Sequence, residues 1–190
     1  AALAVQLSAC ASVSASPKRE GSGQAAAYFT PRERGKSAAA QRPQAGGYYR
    51  VLIQKDAKGY LVQDFYQDTQ AKQTDPFYLK DQRDIASSAA HSIFGALTEY
   101  FPNGKVHARA FFQENKQLMH ASFYDAEGSL LHRIVKDASG KTVQESYWHS
   151  AAQKALALNY NDQGQVLQAS AWTAQGAEIP AESCFAEGLM

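Results

Sequence analysis

The chain has 190 residues, of which 45% are hydrophobic, and its formal net charge is +1. This length has room for one domain, or for one domain and a tail. The composition excludes a chain that is disordered throughout, and the small net charge disfavours a nucleic-acid-binding protein. No apolar stretch is long enough to cross a membrane as a helix.

Residues 1–9 form an apolar segment that ends in small residues directly before Cys10. An apolar segment shorter than a membrane span, followed by small residues, is typical of a secretory signal peptide. The run Leu7-Ser8-Ala9-Cys10 resembles the lipobox of bacterial lipoproteins. This resemblance implies a signal-peptide remnant over 1–9 and a lipid anchor on Cys10, whereas the alternative is a buried cysteine in a disordered end.

The residues around the predicted anchor also bear on location. Ala11 and Ser12 lack the acidic residue that, in the lipoprotein sorting pattern, retains proteins at the inner membrane. The resemblance therefore implies a place in the cell envelope and favours the outer membrane. Acylation of Cys10 would leave Cys184 without an intramolecular partner, so that Cys184 is either a buried thiol or an intermolecular bridge.

Residues 10–46 are rich in Ala, Ser, Gly, Gln and Pro, and they show neither a helical nor a strand-like apolar period. Such a segment buries too little surface to offset its ordering entropy. Tyr28-Phe29 is its one apolar spot. We predict a flexible linker, and its basic excess (six basic and two acidic residues over 17–42) either keeps it extended or draws it to an anionic membrane.

From Tyr48 onward the sequence contains a twelve-residue repeat. The repeated position falls at residues 104, 116, 128, 140, 152, 164 and 176, and five of these seven are glycine. Six of the seven residues that lie four positions earlier are aromatic: Tyr100, Phe112, Tyr124, Trp148, Tyr160 and Trp172. Glycine accepts the positive φ of tight hairpin turns, and the remaining residues of each repeat suffice for one strand.

The repeat predicts a mainly β fold, an elongated antiparallel β-meander of hairpins over 47–180, followed by a tail over 181–190. A further hairpin precedes the array within 48–67, and residues 81–92 are predicted as a loop or one short helix. Pairing the strands across two-residue turns sorts their residues onto an apolar face and a polar face. His132 and Glu145 are misfits on the apolar face.

The predicted polar face carries several large aromatic side chains. The candidate binding residues on it are Phe111, Tyr124, Trp148, Trp172, Arg109 and His120. Aromatic side chains on a solvated sheet can stack on glycans or anchor a protein partner. Alternatively, they form cross-strand pairs that stabilise a thin sheet, or they are buried under the N-terminal hairpin.

The stretch 95–106, with Gly95, Tyr100 and the run Asn103-Gly104-Lys105, resembles a MORN-variant repeat. Weaker copies follow over 122–130 and 160–166 and lack the glycine that precedes the aromatic residue. The family, often labelled antitoxin-like in bacterial genomes, implies an elongated β-hairpin array used for binding. It implies no catalytic residues.

The sequence shows no pattern that assigns a catalytic, metal or cofactor site. The five histidines lack the cysteine or carboxylate spacing of a metal site, and no nucleotide-binding or nucleophile motif occurs. We therefore expect a membrane-anchored, non-catalytic binding or scaffolding module that needs no cofactor and recognises a protein or glycan rather than nucleic acid. The alternative is an envelope enzyme or enzyme accessory that uses the polar face.

Overall fold

The computed structural model describes residues 24–33, 36–89, 91–150 and 152–181. The predicted signal-peptide remnant, Cys10, Cys184 and all but the first residue of the predicted tail lie outside this part of the chain. Its strands are β1 (Ala25–Phe29), β2 (Ala39–Ala40), β3 (Tyr48–Asp56), β4 (Gly59–Tyr66), β5 (Phe77–Leu79), β6 (Ile93–Tyr100), β7 (Val106–Phe112), β8 (Leu118–Tyr124), β9 (Leu130–Lys136), β10 (Thr142–Ser150), β11 (Gln153–Tyr160), β12 (Val166–Trp172) and β13 (Glu178–Ile179).

These strands form one antiparallel sheet, in which β3 to β13 each lie beside their neighbours in the chain. The predicted β-meander is therefore confirmed. Only β1 departs from chain order, since it lies between β3 and β2. A short 3₁₀ helix, Gln82–Ala86, follows β5, as the prediction of a loop or short helix over 81–92 allowed.

The array of β6 to β13 has nearly identical turns, beginning at residues 101, 113, 125, 137, 161 and 173. In each, the first residue donates its N–H to the carbonyl four residues later, and the fourth donates its N–H back to the first carbonyl. The fourth residue has a positive φ, which is +81° at Gly104 and +71° even at Lys116. This is the three-residue hairpin loop with a left-handed residue, which creates a bulge in the following strand.

These bulges correct the predicted two-residue turns. In the middle of the strands the predicted pairs are present, for example Ala110 with Ala121 and Leu158 with Ala169. Beside each turn the register shifts by one residue, as where Tyr160 pairs with Val166. Leu167, which alternation places on the apolar face, is consequently 74% exposed.

The predicted linker over 10–46 is wrong in its second half, because β1 and β2 lie there and pair with each other and with β3. Phe29 is fully buried, and its ring stacks on that of Tyr48 at a centroid distance of 4.7 Å. Burial of one such aromatic side chain stabilises by about 1.5–3 kcal/mol. That gain and the pairing to β3 both favour an ordered β1, which composition alone did not predict.

A buried ion pair lies at the centre of the N-terminal region, which comprises β1 to β5. The Arg50 guanidinium donates to both carboxylate oxygens of Asp64, at 2.7 and 2.8 Å, and to the carbonyl of Asp84 at 2.8 Å. It also lies between the rings of Phe29 and Phe77, at 5.1 and 5.3 Å. Burial raises the pKa of the Asp64 carboxyl, and the positive charge of Arg50 opposes that rise.

The core of the array is thinner. Its buried cluster consists of Leu156, Leu158 and Ala171, with partly buried neighbours around it. The misfits His132 and Glu145 lie on the same face: the His132 ring stacks on Tyr147 at 4.3 Å, and Glu145 accepts a 2.7 Å hydrogen bond from the Tyr160 hydroxyl. Aromatic side chains therefore pack against both polar groups, but Nε2 of His132 is buried and has no hydrogen-bond partner among the described residues.

Candidate binding surface

The register defines a polar face on strands β6 to β12. Paired residues share a face, so the chain of pairs Arg109–Ser122, Ser122–Arg133, Arg133–Ser146, Ser146–Ala157 and Ala157–Ser170 forms one row across the strands. The predicted candidate residues belong to this row or to the rows on either side of it. The face is thus built by the regular alternation of the strands rather than by any loop.

An aromatic row follows one border of the polar face. Alternation places Tyr124, Trp148 and Trp172 there, on β8, β10 and β12. The Lys154 ammonium, on β11, lies 5.6 Å from the Trp148 ring and 6.0 Å from the Trp172 ring. We call Trp148, Lys154 and Trp172 the tryptophan cluster. Such cation–π contacts hold the two indoles in place.

An amide row follows the opposite border of the same strands. The Gln144 side-chain amide donates to Asn159 Oδ1 at 3.2 Å, and the Asn159 amide donates to Gln168 Oε1 at 3.5 Å. Ser146, in the row between the amides and the indoles, retains only 5% of its surface. The larger side chains on either side therefore close over Ser146, whereas Arg109 and Arg133 in the same row are exposed.

The remaining candidate residues lie on β7 and β8. Phe111 and His120 pair across these strands, and their rings stack at a centroid distance of 5.8 Å. Phe111 is 41% exposed, and Arg109 and His120 are exposed as well. The six predicted residues therefore share one face but form two groups, one on β7–β8 and one on β10–β12.

Sequence reasoning missed Lys154 and the amide row as parts of this surface. Lys154 pairs with Trp148 across the turn that joins β10 to β11. That turn has Ala152 where the other repeats favour glycine, so the sequence pattern was weakest there. A bulge beside this turn would have paired Lys154 with Trp148, and that pairing is the signal that could have identified Lys154.

Charges are segregated between the two faces. The strands β6 to β12 contain two carboxylates, Glu99 and Glu145, and their pairing partners Ala108 and Leu158 belong to the apolar face. The polar face of these strands carries Arg109, Arg133 and Lys154. Within the described ranges, none of these three cations forms an ion pair.

A separate cavity of about 410 Å³ lies where the N-terminal region meets β6 and β7. Arg32 donates to both carboxylate oxygens of Glu99, at 3.0 and 3.3 Å, and Nδ1 of His107 lies 3.5 Å from Glu99. Burial alone would raise the pKa of Glu99, but the contacts with His107 and Arg32 lower it from 4.5 to about 2. Because Arg32 follows β1 and Glu99 belongs to β6, their ion pair in this cavity connects the two regions.

His107 does not lie on the face that strand alternation predicts for it. Alternation from Ala108 places it on the polar face, but the bulge opposite Glu99 and Tyr100 turns it toward Glu99. Its ring lies 4.5 Å from that of Phe101. His107 therefore contributes to the junction cavity and not to the candidate binding surface.

Across the ranges that the structure covers, no group of three or more histidine, cysteine or acidic side chains is placed to hold a metal ion. None of the helices described there has the length and apolar character of a membrane span.

No family model and no curated protein matches the chain. Among solved structures, it is similar to "Crystal Structure of TarM", with 12% identity and a TM-score of 0.33. It is also similar to a mutant of S. aureus TarM in complex with Fondaparinux, alpha-GlcNAc-glycerol and UDP, with 10% identity and the same TM-score. Each match covers 74% of this chain but only 24% of the TarM chain. Similarity at this level carries no functional argument.

Proposed function

We propose that the protein is a membrane-anchored envelope lipoprotein whose array of β6 to β13 is a non-catalytic binding module. The lipobox-like run ending in Cys10 supports the anchor, and Ala11 and Ser12 after it favour an outer-membrane location. The MORN-variant resemblance supports an array that serves binding. The ligand is a glycan or a protein that lies on the polar face.

One observation carries the binding role: the tryptophan cluster lies on the polar face together with the amide row, on the same three strands. Indole rings present a large, rigid contact area at low entropic cost, and amides supply both donors and acceptors. Flat aromatic surfaces bordered by amides suit ring-shaped or extended ligands. The opposite face packs its apolar side chains in the thin core and lacks such a surface.

The chain offers a direct probe of this surface, because Trp148 and Trp172 are its only two tryptophans. We expect a ligand titrated into the full chain to change tryptophan emission, with candidate glycans and purified envelope proteins as the titrants. The double variant Trp148→Ala/Trp172→Ala, checked for folding by circular dichroism, should lose binding in calorimetry. The matched control Leu52→Ala/Ile53→Ala changes exposed apolar residues of β3 and should bind normally.

Retention of binding by the folded tryptophan variant would contradict this assignment of the surface. Turnover of the titrant by the wild-type chain would instead favour the envelope enzyme or enzyme accessory. The anchor has its own test: Cys10→Ser should move the protein from the membrane fraction to the soluble fraction of producing cells. Unchanged fractionation would exclude anchoring through Cys10.

A further inference from the structure

Cationic and aromatic side chains alternate from strand to strand on the polar face, so each kind recurs on every second strand. Cations occupy β7, β9 and β11, whereas aromatic side chains occupy β8, β10 and β12 along one border. The three cations are Arg109, Arg133 and Lys154, and the three aromatic residues are Tyr124, Trp148 and Trp172. Because adjacent strands lie about 4.8 Å apart, the aromatic residues recur at about 9.6 Å, and so do Arg109 and Arg133, which share one row. Lys154 lies in the row of the indoles, opposite Trp148. The 24-residue hairpin unit in the sequence separates Arg109 from Arg133 and each aromatic residue from the next.

The same face is positively charged. Both carboxylates of strands β6 to β12, Glu99 and Glu145, lie on the opposite face and are engaged there by Arg32 and Tyr160. Glu178, on the short edge strand β13, pairs with Trp172 and is the one carboxylate that borders the polar face among the described strands. Charge complementarity therefore points to an anionic ligand for the polar face.

We infer that this ligand is a linear acidic polysaccharide with one anionic group in each disaccharide repeat. The inference rests on the proposed binding function and specifies its ligand. The length of a disaccharide in an extended β-linked chain is close to the spacing of two strands. A chain that runs across the strands can therefore set two successive acids against Arg109 and Arg133 and alternate rings against the aromatic side chains.

The amide row adds a second set of contacts for such a chain. Gln144, Asn159 and Gln168 lie on the same strands as the tryptophan cluster, and their side chains are partly or fully exposed. Sugar hydroxyls both donate and accept hydrogen bonds, as amides do. Stacking on the indoles and hydrogen bonding to the amides supply affinity that does not depend on the charge.

The spacing of the cations favours an acidic polysaccharide over nucleic acid. A nucleic-acid strand in a duplex carries a phosphate about every 3.4 Å, so its charge density is nearly three times that of the row of cations. A nucleic-acid surface is also expected to be strongly basic, whereas this chain has a net charge of +1. The sparse, regular cations suit a polymer with sparse, regular acids.

The test is calorimetry of the full chain with four probes of similar length. Hyaluronan hexasaccharide has one carboxylate per disaccharide, hexagalacturonate has one per sugar, chitohexaose has none, and a single-stranded oligonucleotide represents nucleic acid. We expect hyaluronan to bind most tightly, with an affinity that falls as salt rises. Arg109→Gln/Arg133→Gln should weaken it by about fivefold to tenfold.

Two controls keep the test specific. Lys58→Gln/Arg83→Gln makes the same change of charge at exposed positions outside the array and should leave the affinity unchanged. Arg109→Lys/Arg133→Lys should restore most of the affinity lost with glutamine. Equal loss in the outside control would show that general charge, not the row of cations, drives binding and would overturn the inference.

The outcomes distinguish the inference from the function on which it rests. If chitohexaose binds as tightly as hyaluronan, and binding needs the tryptophans but not the arginines, the acidic ligand is wrong and the binding function stands. Preference for the oligonucleotide or for hexagalacturonate also overturns the inference. If hyaluronan binds with the tryptophans replaced by alanine, the assignment of the surface fails as well.

Discussion

The N-terminal region and the array form one continuous sheet but are stabilised in different ways. In β1 to β5, long-range contacts dominate: Phe29, Phe77 and the Arg50–Asp64 pair bring together residues far apart in sequence. In β6 to β13, local turns with the same hydrogen bonds recur along the chain, and the core is thin. A regular array leaves its polar face available for binding, whereas the N-terminal region covers one end of the array.

The junction between the two regions has its own contacts. Tyr100 continues the aromatic positions of the array, but its hydroxyl donates to Asp75 at 2.8 Å and its ring lies 4.1 Å from the Lys72 ammonium. Thus the first aromatic position of the array connects it to the N-terminal region, and the later positions carry the candidate binding surface. The comparison predicts that disruption of one region should leave the other partly intact.

The largest effect is expected from Arg50→Met, which leaves the Asp64 carboxylate buried without its partner. Removal of one partner from a buried ion pair costs about 3–5 kcal/mol. Hydrogen exchange should report the loss of protection in β3 and β4, while urea unfolding followed by tryptophan emission reports the array. Equal destabilisation of both regions would show that they unfold as one unit.

A matched pair of phenylalanine substitutions tests whether β1 belongs to the folded core. Phe29→Ala removes a fully buried ring and should lower the free energy of unfolding by about 3 kcal/mol or more. Phe111→Ala removes a ring that is 41% exposed on the array and should cost clearly less. Similar losses in chemical denaturation would contradict the placement of β1 in the core.

Acid should weaken the junction through Glu99. Its pKa falls from 4.5 to about 2 on folding, so its contribution is fully present above about pH 4.5 and is lost as the pH falls toward 2. The wild-type protein should therefore lose stability across this range more steeply than Glu99→Gln. Parallel stability curves for the two proteins in acid titration would exclude this role.

The smallest effects are expected at the turns. Gly164 has a φ of +79°, and a Cβ added there would meet no atom within 4 Å, so Gly164→Ala tests the backbone alone and should cost about 1 kcal/mol. Lys116 has a φ of +71°, so Lys116→Gly should stabilise by up to about 1 kcal/mol. Thermal unfolding of both variants measures these changes in stability. Changes of the same sign in the two melting temperatures would contradict a shared turn geometry.

The array could be predicted from the sequence because its determinants are local. Glycine at the fourth turn position and an aromatic residue four positions before it appear in the sequence itself, and alternation then assigns the faces. The bulges were not predictable, because they depend on the loop type that a glycine permits but does not impose. The bulges explain why Leu167 is exposed and why His107 lies beside Glu99.

The N-terminal region was harder to predict, since its contacts join residues that are distant in sequence. The five residues of β1 show no alternation, and their strand forms only because β3 supplies hydrogen-bonding partners. A bulge between Leu52 and Gln54 shifts the β3–β4 register, so counting from the turn does not pair Arg50 with Asp64. The strand register places the candidate binding residues on one face, and their division into two groups could not be predicted without that register.

Covalent footprinting of exposed side chains would locate the binding surface, because it distinguishes the two faces of a sheet. The full chain would be labelled with and without saturating hyaluronan hexasaccharide, and modification would be quantified residue by residue. We expect the bound hexasaccharide to protect Tyr124, Trp148 and Trp172 from labelling. The labelling of the exposed residues Leu52 and Ile53 should not change. Protection confined to the N-terminal region, or unchanged labelling of the tryptophans in the bound protein, would contradict a binding surface on the polar face.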